Sequence, residues 1–338
     1  MTPFSIKSYR GELGRRFVFG LASVVVGICI LALHARAFQS TQQEPKQDPK
    51  KEDKYQFKVT VDLISLNVTV TDTRSHLVTD LIQKEFSIYE DGVRQEVSVF
   101  SREDLPLRLI LLIDTSASME EKLSLAQQAA VNFVATLKDE DEAEIVEFGS
   151  KAHVVQRFTA DRELLSKAIR LTRAGGTTSL YNALYISLKD LARRREDVRR
   201  QAVILLSDGE DTSSLVTFEQ VMELAKATDL IIYTISLRRD GVRHDKSFSE
   251  AEHVLKKLAE ETGGQWFFPE QIAELDSVYG RIASELKSQY NLGYISTNVR
   301  RDGSWRRVVV QADRPNLLVR AKLGYFAPRS NAALRDSR

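Results

Sequence analysis

Three short segments of this chain gather side-chain oxygens at spacings that could hold a metal ion. They are Asp114-Thr115-Ser116-Ala117-Ser118, Gly175-Gly176-Thr177-Thr178 and Ser207-Asp208-Gly209. Alternation at 114, 116 and 118 lets several oxygens of one turn face one point. The two carboxylates balance a dication. Oxygen donors without His or Cys favour a hard cation, Mg²⁺ or Mn²⁺, with Ca²⁺ a further candidate. Gly175 and Gly176 permit backbone geometry that a Cβ would resist. Mg²⁺ prefers six ligands and gives up water reluctantly, so an open position could take a carboxylate from a partner. Each segment alone is weak, because Asp, Ser and Gly are ordinary turn and capping residues. The three in this order, each after a suitable element, form a specific pattern.

Those elements can be read from hydrophobic periodicity. Leu107–Ile113 (LRLILLI) and Ala202–Leu206 (AVILL) are apolar runs of the kind that form strands buried on both faces. Asp114 and Asp208 follow their carboxyl ends, where ligands bind in a doubly wound sheet. Leu230–Ile235 and Trp266–Phe268 read as further strands, and Ile145–Phe148 with Val154-Val155 as a hairpin across Gly149-Ser150. Leu123, Ala126, Ala130, Phe133 and Leu137 recur at helical spacing. Helices are also expected over 161–172, 179–195, 218–227 and 249–262, the last capped by Gly263-Gly264, and a final one carries Ile272, Leu275, Tyr279, Ile282 and Leu286. The alternation predicts an α/β fold: a doubly wound, mostly parallel sheet with helices on both faces. The flanks differ. Phe57, Val59, Val61 and Leu63, then Leu66, Val68 and Val70, alternate as in strands, Phe86–Tyr89 is another, and Asp91-Gly92 is a turn. Strands return at Leu292–Ile295, Val308–Val310 and up to Phe326, with a turn at Arg301-Asp302-Gly303. Each flank is short for a domain of its own, so the two are expected to pack into one β-sandwich with the α/β domain inserted between them.

Asp114-x-Ser116-x-Ser118, Thr177 and Asp208 resemble, position for position, the metal-ion-dependent adhesion site of von Willebrand factor type A (VWA) and integrin-type domains. The resemblance covers about residues 105–288. It implies that Ser116, Ser118 and Thr177 contact the ion, that Asp114 and Asp208 act through water, and that an acidic residue of a protein partner completes the shell. Thr178 is the alternative to Thr177, which directly follows the glycine pair. The flanks, with Phe86–Gly92 and Gly324-Tyr325-Phe326, look like the secreted bacterial VWFA-related proteins. The function so implied is non-enzymatic: metal-dependent protein binding or adhesion. Two alternatives stand beside it, a metal-dependent hydrolase and a scaffold whose metal only stabilises the fold. Against hydrolysis, no base or nucleophile is fixed beside the motif, and P-loop and His-Glu-x-x-His patterns are absent from the sequence.

Composition narrows the rest. With 338 residues and 43% hydrophobic, the chain can build a sizeable core, and its net charge of +1 supplies no global field for nucleic acid. Lys7, Arg10, Arg15 and Arg16 precede the uncharged stretch Phe17–Leu33, and Ala35-Arg36-Ala37 follows, the layout of a secretory signal. Cleavage after Ala37 gives a secreted, periplasmic or envelope protein; a retained segment would instead be a membrane anchor. Arg15-Arg16 sits in a poor context for a twin-arginine signal. Removing residues 1–37 takes away five basic residues and one acidic residue, leaving a net charge of −3. Cys29, the only cysteine, goes too, which excludes thiol catalysis and disulfides from the mature chain. The expected organisation is signal 1–37, tether 38–54, β unit 55–103, VWA domain 105–288, C-terminal β segment 289–328 and tail 329–338. Arg193, Arg194, Arg195, Arg199 and Arg200 are expected to be a solvated helix end. Glu210 and Asp211 add negative potential near the site, and the polar stretch 238–248 reads as a plain loop.

Overall fold

The computed structural model describes residues 62–103, 105–194, 199–207, 210–237 and 250–329. The signal or anchor, the tether, residues 55–61, Asp208, Arg195, the 238–248 loop and nearly all of the tail lie outside the described residues.

The chain enters through β1 (Leu63–Asp72), β2 (Phe86–Glu90), β3 (Val93–Gln95) and β4 (Val97–Ser101). Asp91 and Gly92 both take positive φ, 47° and 84°, and join β2 to β3 in the two-residue hairpin turn that matches strand twist. The α/β domain follows, with strands β5 (Leu107–Asp114), β6 (Glu142–Phe148), β7 (Ala152–Thr159), β8 (Arg200–Ser207), β9 (Ile231–Ser236) and β10 (Trp266–Phe267). Their order in the sheet is β10-β9-β8-β5-β6-β7, parallel except for β7. Every residue of β5 and β8 is buried, as a strand covered on both faces requires. Leu109, Leu111 and Ile113 pack with α1 (Leu123–Ala135), α2 (Arg162–Leu171) and, from the end of the domain, a helix over Leu275–Lys287. Ile110 and Leu112 face α3 (Leu180–Ala192), α4 (Phe218–Ala227) and α5 (Glu250–Thr262). The helix Leu275–Lys287 is α6; a 3₁₀ turn at Ile272–Glu274 leads into it. Capping sets several helix starts: the Asp161 carboxylate accepts the amides of Glu163 and Leu164 before α2, and Thr217 and Gln220 form a reciprocal box before α4.

The C-terminal strands β11 (Tyr290–Ile295), β12 (Trp305–Ala312), β13 (Leu317–Arg320) and β14 (Gly324–Phe326) complete two four-stranded sheets, β13-β1-β11-β4 and β14-β12-β2-β3. Each flank gives strands to both sheets, and the α/β domain is inserted between β4 and β11, as expected from their lengths. The shared core holds Leu66, Val68, Ile88, Tyr290, Leu292 and Val308. A buried ion pair, Arg306 of β12 to Glu90 of β2 at 3.2 Å, lies within one sheet, and the Tyr294 hydroxyl of β11 reaches Glu90 from the other. Glu90 also accepts the hydroxyls of Tyr294 (2.8 Å), Tyr325 (2.9 Å) and Ser296 (2.7 Å), so the buried charge is well solvated by protein.

Two expectations need correction. Leu63 does not point inward with its neighbours: it is 51% exposed, while Ile64, Leu66, Val68 and Val70 are buried. Pairing with β11 and β13 sets this parity, and one residue of register decides which face a side chain takes. Arg200 is not part of a solvated helix end. It opens β8 at 3% exposure, and its guanidinium donates to the carbonyls of Leu286 and Glu103. Arg194 does sit at the end of α3, paired with Asp190.

Arg200 belongs to the seam between sandwich and α/β domain. There Glu285 of α6 accepts Tyr233 Oη of β9 at 2.8 Å and Thr69 Oγ1 of β1 at 3.3 Å, and pairs with Arg320 of β13 at 2.5 Å. Burial, with Glu285 beside it, holds the Tyr233 hydroxyl well above the ordinary tyrosine range, so it stays a donor. Lys322 pairs with Asp229 just before β9. Gly263, at φ +80°, caps α5 so close to the 321–322 backbone that a Cβ would lie 2.6 Å from it. The sandwich therefore docks at the edge where the parallel strands begin. Their carboxyl ends lie at the opposite edge.

Candidate metal centre

Strand order places the site. β5 is flanked by β6 on one side and β8 on the other, so chain connections leave it in opposite directions and open a crevice at its carboxyl end. Asp114 is the last residue of β5 and fully buried; Ser207 is the last residue of β8 and equally buried. The Asp114 carboxylate accepts the Ser116 amide at 2.8 Å on Oδ1 and the Ser207 hydroxyl at 2.6 Å on Oδ2. Short bonds of this kind are charge-assisted. Ser116 is extended and a 3₁₀ turn over Ala117–Met119 follows it. This reversal brings Ser116 Oγ and Ser118 Oγ to 3.0 Å from each other. Ser116 is buried and Ser118 half-buried.

The glycine loop is sewn to this first loop through backbone. Gly175 N donates to Thr115 O at 2.8 Å, and Ala117 N donates to Gly176 O at 3.1 Å. Gly176 has φ +80°, and a Cβ there would lie 2.4 Å from Ser150 Oγ. Thr177 is exposed, with its Oγ1 3.1 Å from Ser150 Oγ and 3.0 Å from Ser213 Oγ. Thr178 is buried, and its backbone bonds the next loop instead: its amide donates to Thr212 Oγ1, and its carbonyl accepts the amides of Thr212 and Ser213. Asp114, Ser116, Ser118 and Thr177 thus come to one edge on two interlocked loops. Asp208 lies outside the described residues, immediately after Ser207.

The residues present suit a hard cation. Every donor is oxygen. The 3.0 Å between the serine hydroxyls matches neighbouring corners of an octahedron whose ligands stand at about 2.1 Å from the ion. Among the described residues no cluster of three His, Cys, Asp or Glu side chains forms, so a metal here would rest on hydroxyls and on Asp208.

Three polar neighbours, Ser207, Ser150 and Ser213, were not singled out from the sequence. Ser207 was visible only as part of Ser-Asp-Gly; its bond to Asp114 depends on β8 lying beside β5. Ser150 appeared only within the hairpin turn Gly149-Ser150, and Ser213 carried no signal of its own. Asp211, expected to add negative potential, is a structural anchor as well. Its Oδ1 accepts the Ser214 hydroxyl at 2.6 Å and the Tyr181 amide at 3.3 Å, tying the post-β8 loop to the start of α3.

Residues 109–210 match the family model of the von Willebrand factor type A domain. Uncharacterized protein sll0103 of Synechocystis sp. is 30% identical over 110 residues, 32% of this chain and 26% of that protein. The chain thus spans about a quarter of that relative's length. Among solved structures, a von Willebrand factor type A protein from Catenulispora acidiphila aligns over 82% of this chain and 77% of its own, at 14% identity and a TM-score of 0.47. Proximal thread matrix protein 1 of the mussel byssus, with a zinc-occupied MIDAS motif, aligns over 53% of this chain and 47% of its own, at 17% identity and a TM-score of 0.44.

Proposed function

We propose that the protein is a non-enzymatic binding module that holds a divalent cation, Mg²⁺ by preference of its donors, and presents it to an acidic residue of a protein partner. Ser116, Ser118 and Thr177 are the direct ligands. Asp114 and Asp208 act through water. The observation that carries this reading is the engagement of both Asp114 oxygens behind a pair of converging serine hydroxyls. A carboxylate so held is placed to orient ligands and supply charge rather than to reach the ion itself. The site lies at the edge away from the sandwich, where a partner can approach. The N-terminal segment 1–37 is proposed as the export signal, or as an anchor if retained. No helix among the described residues is long and apolar enough to cross a membrane.

Calorimetric titration of Mg²⁺ and Mn²⁺ into wild type and Asp114→Ala tests the site. Wild type is expected to bind one ion, and the substitution to abolish binding. A folded wild type that binds neither ion, even with an acidic peptide present, refutes the proposal.

A further inference from the structure

We infer that Ser150, at the tip of the β6–β7 hairpin, is the positioning residue for Thr177; this rests on the metal reading above. Ser150 Oγ accepts two bonds from the same residue, from Thr177 N at 3.1 Å and from Thr177 Oγ1 at 3.1 Å. A threonine hydroxyl has one proton and two lone pairs. With its proton given to Ser150, the Thr177 oxygen keeps lone pairs for a cation. Ser213 Oγ, 3.0 Å away on the other side, is a second acceptor for the same proton, so either way the lone pairs stay open. The amide bond fixes the Thr177 backbone, and turning its oxygen away about χ1 costs the hydroxyl bond.

The hairpin tip is a rigid platform for this task. Thr115 N donates to Phe148 O at 2.8 Å, and Ser179 N donates to Gly149 O at 2.8 Å, so the tip is fastened to both loops of the site. Neither facing glycine has room for a side chain: a Cβ on Gly149 would lie 2.9 Å from Gly175 O, and one on Gly176 2.4 Å from Ser150 Oγ. A plain turn role for Ser150 does not explain this. The hairpin is closed by Gly149 N donating to Lys151 O at 3.2 Å, a bond that does not involve the Ser150 hydroxyl.

Two measurements on the full chain test the assignment. The first is a double-mutant cycle for Mn²⁺ affinity with Ser150→Ala and Thr177→Ala. Ser150→Ala is expected to weaken binding about tenfold, the scale of residues that orient metal ligands. It should have no further effect in the Thr177→Ala background. Additive losses would overturn the inference. The second is amide hydrogen exchange in the chelator-treated protein. The Thr177 amide should lose its protection in Ser150→Ala, while the Thr178 amide, bonded to Thr212 Oγ1, keeps its own. An exchange rate at Thr177 that ignores Ser150 overturns this assignment alone, whereas a wild type that binds neither ion overturns the metal reading.

Discussion

Two carboxylates, one at each end of the α/β sheet, are buried in different company. Asp114, at the carboxyl ends of the strands, accepts an amide and a hydroxyl among its described partners, both neutral donors. Glu285, on α6 at the seam with the sandwich, also receives hydroxyls but faces the Arg320 guanidinium at 2.5 Å. A buried carboxylate met by a fixed cation is a strut, since its charge is answered within the fold. Neutral donors orient a carboxylate and leave its charge to act on what comes near. By this comparison the Glu285 edge holds two domains together, and the Asp114 edge is where the proposed cation would sit.

The largest expected effect comes from breaking the strut. Glu285→Ala should lower stability by about 2–3 kcal/mol, less than for a fully buried pair because Arg320 keeps partial access to water. Urea denaturation measures it. The stabilisation from saturating Mg²⁺, about 2.7 kcal/mol at a hundredfold excess over Kd, should survive in this variant. Its disappearance would show that the two ends are one unit.

A third carboxylate sharpens the contrast. Glu144 of β6 has a side chain only 2% exposed, with Arg157 3.8 Å away but itself 71% exposed. Burial pushes the Glu144 carboxyl up from 4.5 to about 7; Asp190 adds to this, and Arg157 opposes it too weakly to win. Between those values the folded form holds a proton that the unfolded chain has lost. Stability therefore falls as pH rises through that window. Glu144→Gln should remove this slope and be more stable than wild type at pH 8 by roughly 2 kcal/mol, allowing for screening. Parallel stability-versus-pH curves for the two proteins would show that Glu144 is ionised throughout.

The smallest effect tests exposure alone. Asp161 is held by amides, as Asp114 is in part, but at a surface helix start. Asp161→Ala should cost about 1 kcal/mol and leave metal affinity unchanged. A change in affinity would mean that neutral donors do not by themselves distinguish the site.

Much of the fold was legible because it rests on local pattern. The apolar runs at 107–113 and 202–206 are β5 and β8, and the helices at 162–171, 180–192, 218–227 and 250–262 fall where periodicity put them. Residues 317–320 were not separated as a strand: β13 is short and only partly buried, so its alternation is faint. The parity of Leu63 and the burial of Arg200 were misread for a related reason. Both are decided by partners far along the chain, β11 and β13 for the first and the end of α6 for the second.

The candidate site divides in the same way. Asp114, Ser116, Ser118, Thr177 and Asp208 stood out as candidates by residue type, spacing and their likeness to the adhesion motif, because side-chain chemistry is written in the sequence. Ser207 against Asp114 and Ser150 against Thr177 could not, since those bonds join residues 93 and 27 positions apart. By itself the sequence determined which segments are strands and helices and which residues carry oxygen, because covalent order sets periodicity and chemistry directly. Only the tertiary structure decided which hydroxyl faces which carboxylate and that the sandwich closes the edge opposite the site, because those choices follow from strand order and from the close approach of loops that the chain visits at different times.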